Sequence, residues 1–160
     1  MQQAELCYNI RKSPGPSAEG VTPNMAIFKN LEEAQEYFKD DRFATENGAS
    51  IVEVTEDHAV VKMELADRHR NAMNNVMGGA IFTLADFAFA VLASNLHKAQ
   101  VGTDATIHFL SVPKGDVLYA KSVCRKNGRT TIIMDADVTD ESGRLIATMT
   151  GTAFKIYPKA

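Results

Sequence analysis

Cysteine is scarce in this chain. Cys7 and Cys124 are its only two, they lie far apart, and no Cys-x-x-Cys pair occurs. This excludes a disulfide-framework fold and suits free thiols in a reducing compartment. The four histidines, His58, His69, His97 and His108, lack metal-ligand spacing, so no metal site is expected. Basic residues are not in excess. There are 17 Lys and Arg against 20 Asp and Glu, a net charge of −3, and nothing global favours nucleic acid or an anionic membrane surface. No charged n-region followed by an apolar h-region opens the sequence, so no secretory leader is expected and the location expected is cytoplasmic. Internal repeats and low-complexity tracts are also missing.

What is present is the composition of an ordinary globular domain. The chain has 160 residues, 45% of them hydrophobic and 23% charged, enough for one domain with a proper core and short for two. Residues 1–24 carry SPGPSAEG (Ser13–Gly20) and Pro23 and read as a flexible arm before a single domain over residues 25–160. Over Asn30–Phe43, Asn30 can cap a helix and Glu33 completes a capping box. Leu31, Ala34, Phe38 and Phe43 give the apolar stripe of a short amphipathic helix.

The period then changes to two. Ile51, Val52 and Val54 mark one strand, and Ala59–Leu65 a second. Ala66–Met77 is polar and loop-like. After the helix described next, four more strands are expected at Val101–Leu110, Val117–Arg125, Thr130–Val138 and Leu145–Tyr157. The third of these alternates well, with Ile132, Met134, Ala136 and Val138 on one face and Asp135 and Asp137 on the other. The Asn127-Gly128 dipeptide predicts a type I′ hairpin turn.

Between the two strand groups runs GGAIFTLADFAFAVLASNL, from Gly78 to Leu96, with Asp86 as its one ionisable residue. Its length is near the lower limit for a membrane span, but Asp86, Thr83, Ser94 and Asn95 and the strands downstream argue for a core helix. A helix apolar nearly all round is a buried helix. Burying an unpaired carboxylate costs several kcal/mol or forces its pKa upward, so Asp86 calls for a functional reason. Short turns between adjacent strands imply a mostly antiparallel sheet. The expected fold is therefore α+β, six strands wrapped around one long apolar helix.

The run from Asn71 through Met77, Gly78 and Gly79 to Asp86 resembles the signature of hotdog-fold acyl-CoA thioesterases of the PaaI-like (phenylacetic acid degradation) group, within the 4-hydroxybenzoyl-CoA thioesterase superfamily. In that signature an Asn precedes a His-Gly-Gly turn that starts the central helix, and an acid follows eight residues after the first Gly, as Asp86 follows Gly78. Thr103–Leu110 with Pro113 and Gly115, Arg125–Arg129 and Asp140–Ala147 resemble the family's later strand and hairpins. The likeness covers about residues 49–157. One position departs, since the family's His is Met77 here. Met cannot donate a hydrogen bond, which puts the level of activity, rather than the fold, in question.

The resemblance implies hydrolysis of an aryl- or medium-chain acyl-CoA thioester, with no cofactor beyond the coenzyme A of the substrate. The Gly78 and Gly79 N–H groups at a helix N-terminus can polarise the thioester carbonyl. Asn71 can orient a water or the carbonyl, Asp86 is the base or nucleophile, and Thr103 is a polar partner to its water. Asp86 lies about 12 Å along the helix from its start, too far to serve its own glycines. The resemblance resolves this with a homodimer whose antiparallel central helices place the acid of one subunit beside the glycine turn of the other, with a dimer of dimers as the larger alternative. Met77, Phe82, Phe87 and Phe89 would line the acyl group. Arg125, Lys126 and Arg129 could hold the phosphates of coenzyme A.

Bland readings stand beside these. Asp86 could be a structural acid at an interface and Asn71 a loop-satisfying amide. The phenylalanines could be simple core, Arg125, Lys126 and Arg129 a solvated hairpin tip, and Cys124 a small buried hydrophobe. Two other functions compete. One is a non-catalytic acyl- or CoA-binding hotdog protein, motivated by Met77. The other is a hotdog dehydratase, disfavoured because no His stands at a matching position.

Overall fold

A computed structural model describes residues 26–157. The arm expected over residues 1–24 and Cys7 lie outside the described residues. The elements in order are α1 (Leu31–Phe38), α2 (Arg42–Glu46), β1 (Ala49–Val54), β2 (His58–Glu64), a 3-10 turn (Asp67–His69), α3 (Gly78–Leu96), β3 (Gln100–Phe109), β4 (Val117–Asn127), β5 (Thr131–Asp140) and β6 (Leu145–Lys155). The strands form one antiparallel sheet in the order β1-β2-β4-β5-β6-β3, and α3 touches all six. This is the expected α+β hotdog arrangement.

The inner face of the sheet explains how it closes on the helix. Ala59, Ala120, Ala136, Ala147 and Ala153 are fully buried, and small side chains there let the backbone come close to α3. The clearest case is Ser122, whose Oγ donates to the Ala88 carbonyl at 2.7 Å. Larger residues, Leu84, Leu92, Met134, Ile132 and Met149, fill the remaining space. Each contributes about 1.5–3 kcal/mol by leaving water. Asn95 bolts down the helix end: it is fully buried, accepts from the Phe28 N–H and donates to the Thr55 carbonyl. Long, apolar and mostly buried, α3 passes the length and composition test for a membrane span, as core helices do.

Four expectations need correction. First, α3 is not buried all round. Gly79 and Asp86 are exposed, and Phe82, Thr83 and Ala90 are half-buried, because six strands reach round most but not all of its circumference. Second, the amphipathic segment is two helices. Asn30 does cap α1 by accepting from the Glu33 N–H, but Glu33 accepts from the Lys29 N–H rather than completing the box on Asn30. The chain turns at Lys39–Asp41, so Phe43 falls on α2 and is 73% exposed. Third, Asn127-Gly128 forms no type I′ turn, since neither residue has positive φ. A bulge at Arg125 offsets the register of β4 on β5, and a longer connection results, held by Gly128 N–H on the Thr131 carbonyl and Tyr157 OH on the Arg129 carbonyl. Fourth, β4 and β5 each extend two residues further than their hydrophobic alternation indicated.

The two sheet edges differ. Helices α1 and α2 pack on β1, and Gln35 Nε2 donates to the Ile51 carbonyl. Strand β3 has no such cover among the described residues, and eight of its ten residues are exposed.

Candidate active site

The site begins with how α3 starts. Met77 occupies the cap position with φ −69° and ψ 136° and makes no side-chain cap. Its carbonyl takes the N–H groups of Ala80 and Ile81. The N–H groups of Gly78 and Gly79 have no partner among the described residues, and they point out of the end of a 19-residue helix. Such a terminus carries partial positive charge and two ready donors. Two apolar groups flank them. A methyl added at Gly78 would lie 3.1 Å from Cζ of Phe109, and one at Gly79 would lie 2.5 Å from Cε of Met77.

The loop before the helix holds this start in place. Arg70 and Val76 form an isolated antiparallel bridge, and the Met77 N–H donates to the His69 carbonyl at 2.8 Å. Asn71 stitches the loop internally: its Oδ1 accepts from Met73 and Asn75 N–H groups, while Asn74 sits at φ 60°. The acceptor end of the Asn71 amide is therefore engaged, and Nδ2 is the end left for a ligand or water.

Asp86 lies on the open stripe of α3. It shares an open groove of about 520 Å³ with Phe89, Ala90 and residues of β3 that include Thr103. No hydrogen bond or ion pair holds its carboxylate among the described residues. Solvent reaches it, yet the groove walls strip away enough water to push its carboxyl above the usual range, and the negative charge of Asp41 adds to the push. Thr103 is the extra residue of a β-bulge, where Gly102 pairs with Ala153 and Asp104 with Thr152. Its Oγ1 donates to the Thr152 carbonyl at 3.1 Å, which leaves its lone pairs free to accept. Bulges re-aim side chains in this way.

The structure thus brings Asp86 to Thr103, and Asn71 and Met77 to Gly78 and Gly79, as two separate half-sites on one chain. The eight residues between Gly78 and Asp86 put about 12 Å between them.

The other sequence candidates are placed differently. Phe82 is half-buried on the open stripe. Phe87 is core, packed edge-on against Phe38 with ring centroids 5.6 Å apart, and it does not line the groove; Phe89 does. Arg125 pairs with Asp135 on the outer face of the sheet, and Asp135 also accepts from Thr150. Lys126 and Arg129 are exposed near the β4–β5 tip. Cys124 is half-buried, and burial raises its thiol pKa, as expected for an inert structural thiol. No cluster arranged to hold a metal occurs among the described residues.

Sequence reasoning missed one residue and gave another no more than a structural role. The first is Phe109, whose ring stands over Gly78. The other is His69, buried to 3% exposure. Its Nδ1 accepts from the Ala66 N–H, so Nε2 carries the proton and faces the Asn47 backbone without completing a hydrogen bond. Burial holds this imidazole below its ordinary pKa, with the Asn47 backbone pulling the other way and Arg68 adding to the lowering. The signal for His69 was positional, a lone histidine in the loop that sets the helix start.

Comparison with known proteins agrees with this fold. The Thioesterase superfamily profile matches residues 73–147. The chain is 30% identical over 129 residues to the acyl-coenzyme A thioesterase PaaI of Escherichia coli, covering 80% of this chain and 92% of that protein. It is 33% identical to a putative esterase of Archaeoglobus fulgidus, covering 79% and 83%. The solved structure of the E. coli PaaI protein aligns with TM-score 0.74 at 29% identity, covering 79% of this chain and 92% of that one. A hypothetical thioesterase from Streptococcus pneumoniae solved with coenzyme A aligns with TM-score 0.69 at 31% identity, covering 77% and 99%.

Proposed function

The chain belongs to the PaaI-like group of the thioesterase superfamily and is a thioester hydrolase; on that premise we propose that it hydrolyses an aryl- or medium-chain acyl-CoA in a site shared by two protomers. The observation that carries this reading is the pairing of two unpartnered N–H groups at the start of α3 with an unpaired acid on the same helix, about 12 Å away. Neither half-site is complete alone. The uncovered edge of β3 and the open stripe of α3 offer the surface a second copy would cover. Two such helices running antiparallel set the start of one beside Asp86 of the other.

In this reading the thioester carbonyl accepts from Gly78 and Gly79 N–H, and these donors stabilise the negative charge that develops on its oxygen. Asp86 of the partner takes one proton from water, with the Thr103 hydroxyl accepting a hydrogen bond from that water's other O–H, whose proton stays with the acid product. The water oxygen adds to the carbonyl carbon. The carbon–sulfur bond then breaks, and coenzyme A leaves as a thiolate, which recovers the proton from Asp86. A thiol has a pKa near 8.5, so it leaves without a separate general acid. A carboxyl whose pKa is raised is a better matched base at neutral pH than an ordinary one. Asn71 Nδ2 is placed to orient the carbonyl or water. Lys126 and Arg129, which pair with no acid among the described residues, are the cations at the hairpin tip that could meet the coenzyme A phosphates.

The test is release of free thiol from a panel of acyl-CoAs. Wild-type protein is expected to turn over at least one aryl or medium-chain substrate, and Asp86→Asn to lose about 100-fold or more in kcat. Undiminished turnover by Asp86→Asn would sink the mechanism. Stabilisation by coenzyme A without turnover of any thioester would replace it with the binding-protein reading. A single turnover in ¹⁸O-water separates base from nucleophile, since a base leaves no label in Asp86.

A further inference from the structure

Phe109 stands against Gly78 and Met77 against Gly79, and we infer that Phe109 makes the site select against acyl groups branched at the carbon next to the thioester carbonyl. The inference rests on the hydrolase reading above and narrows its substrates, favouring straight-chain and arylacetyl groups, whose α-carbon is a CH₂, over aroyl groups, whose α-carbon bears two ring carbons.

The argument is one of space. Three atoms at the tip of the Phe109 ring, Cζ, Cε1 and Cε2, lie 3.1, 3.4 and 3.5 Å from where a methyl on Gly78 would sit. A carbonyl oxygen hydrogen-bonded to the Gly78 N–H stands about 2.9 Å from that nitrogen. Its acyl α-carbon is two bonds further on, so substituents on that carbon reach the flanks of the same turn.

The two flanks differ in stiffness. Met77 is unbranched, with a thioether end that swings aside, and it is half exposed. Phe109 is pinned from behind. Its backbone pairs with Ala147 of β6, and the next residue, Leu110, donates to the Ile146 carbonyl at 2.8 Å. The ring is nevertheless 54% exposed, so a ligand can reach it. A straight-chain α-CH₂ passes between a hard wall and a soft one. A branched α-carbon presents a second carbon that must displace the ring or lift the carbonyl off its donors.

The test compares two C6 isomers of matched carbon number, hexanoyl-CoA and 2-methylpentanoyl-CoA. One misplaced methyl is worth about 10- to 200-fold in kcat/KM, so wild-type protein is expected to prefer the straight chain by about 10-fold or more. Phe109→Ala is expected to narrow that ratio severalfold, mainly by raising kcat on the branched isomer. Phe109→Leu, which retains apolar bulk on the edge strand, is expected to fall between Phe109→Ala and wild type and serves if Phe109→Ala folds poorly. A wild-type ratio near one, or a ratio unchanged in Phe109→Ala and Phe109→Leu, overturns the inference while leaving the hydrolase reading standing. Failure to hydrolyse either isomer or any other thioester overturns both.

Discussion

Two inactive variants of this protein are expected to make an active enzyme when mixed. The first is Gly78→Pro, which removes one donor and little else. The Gly78 N–H has no partner to lose, proline is at home at the first helical position, and Met77 at φ −69° and ψ 136° already has the backbone that a residue before proline prefers. The added Cβ would lie about 3.1 Å from the tip of Phe109, which asks only a few tenths of an ångström of the ring, far less than a branched acyl group would. Loss of one such donor costs about 100- to 1,000-fold in kcat. The second variant is Asp86→Asn, inactive for want of a base. If the half-sites of one chain were used together, no mixture could help. If they are used across a dimer, random re-pairing of equal amounts makes half the dimers mixed, and each mixed dimer holds one intact site of two. Activity should therefore recover to roughly a quarter of wild type. The assay is thiol release after subunit exchange, with exchange verified by mass spectrometry of differently tagged chains. Activity that stays at the mean of the two variants, once exchange is verified, refutes the shared site.

Three further outcomes follow from the same structure. Burial raises the Asp86 pKa, and Asp41 raises it further, so the folded state binds this proton more tightly than the unfolded one. The ionised acid therefore costs stability as pH rises above the ordinary carboxylate range. Asp86→Asn should melt higher than wild type at pH 7, with a gap that shrinks toward pH 4; an equal or lower melting temperature at pH 7 contradicts the argument. Asp140 is opposite in sign. Burial alone would raise its pKa, but the Ser142 hydroxyl and the N–H groups of Lys114, Arg144 and Ser142 hold the anion and pull it down. Its contribution is present above a pH of about 4 and lost as pH falls through the lower folded value. Asp140→Asn should cost about 1–3 kcal/mol at pH 7 and progressively less as pH falls below about 4, read by urea unfolding. Gly151→Ala would place a Cβ 2.9 Å from Cε2 of Phe89 and 3.1 Å from the Asp104 carbonyl. About 1–3 kcal/mol of destabilisation is expected from such overpacking, and a melting temperature unchanged from wild type would show that β6 has slack there.

Much of the fold was legible because two periods carry it. The Gly78–Leu96 bounds were readable to the residue, since an unbroken apolar run opens on Gly-Gly and closes into strand-like sequence. The faces of β5 were readable because Ile132, Met134, Ala136 and Val138 alternate with polar residues. The hairpin after β4 was not, because the bulge at Arg125 is a register effect that a local Asn-Gly preference cannot report. The break at Lys39–Asp41 was missed because Phe43 keeps helical spacing while tertiary packing ends the helix earlier. At the site, spacing identified Asp86 and its distance from Gly78. It could not say that Asp86 faces an open stripe, since a helix this apolar has no contrast between its sides. Phe109 and His69 were hidden for a related reason: each matters through what folds against it, Gly78 for one and the Ala66 and Met77 backbone for the other.

The bare edge of β3 sets a condition on how this protein can vary. Among the described residues of a lone chain, this edge is a long row of unpaired backbone groups flanked by Val101, Phe109 and Leu110, all about half exposed, which is a template for indiscriminate strand addition. Under the proposed shared site, solubility and catalysis are therefore tied to the same ten residues. A substitution on that strand would surface twice, as lost turnover and as precipitate, and a screen that scores expression alone would recover much of the active-site map.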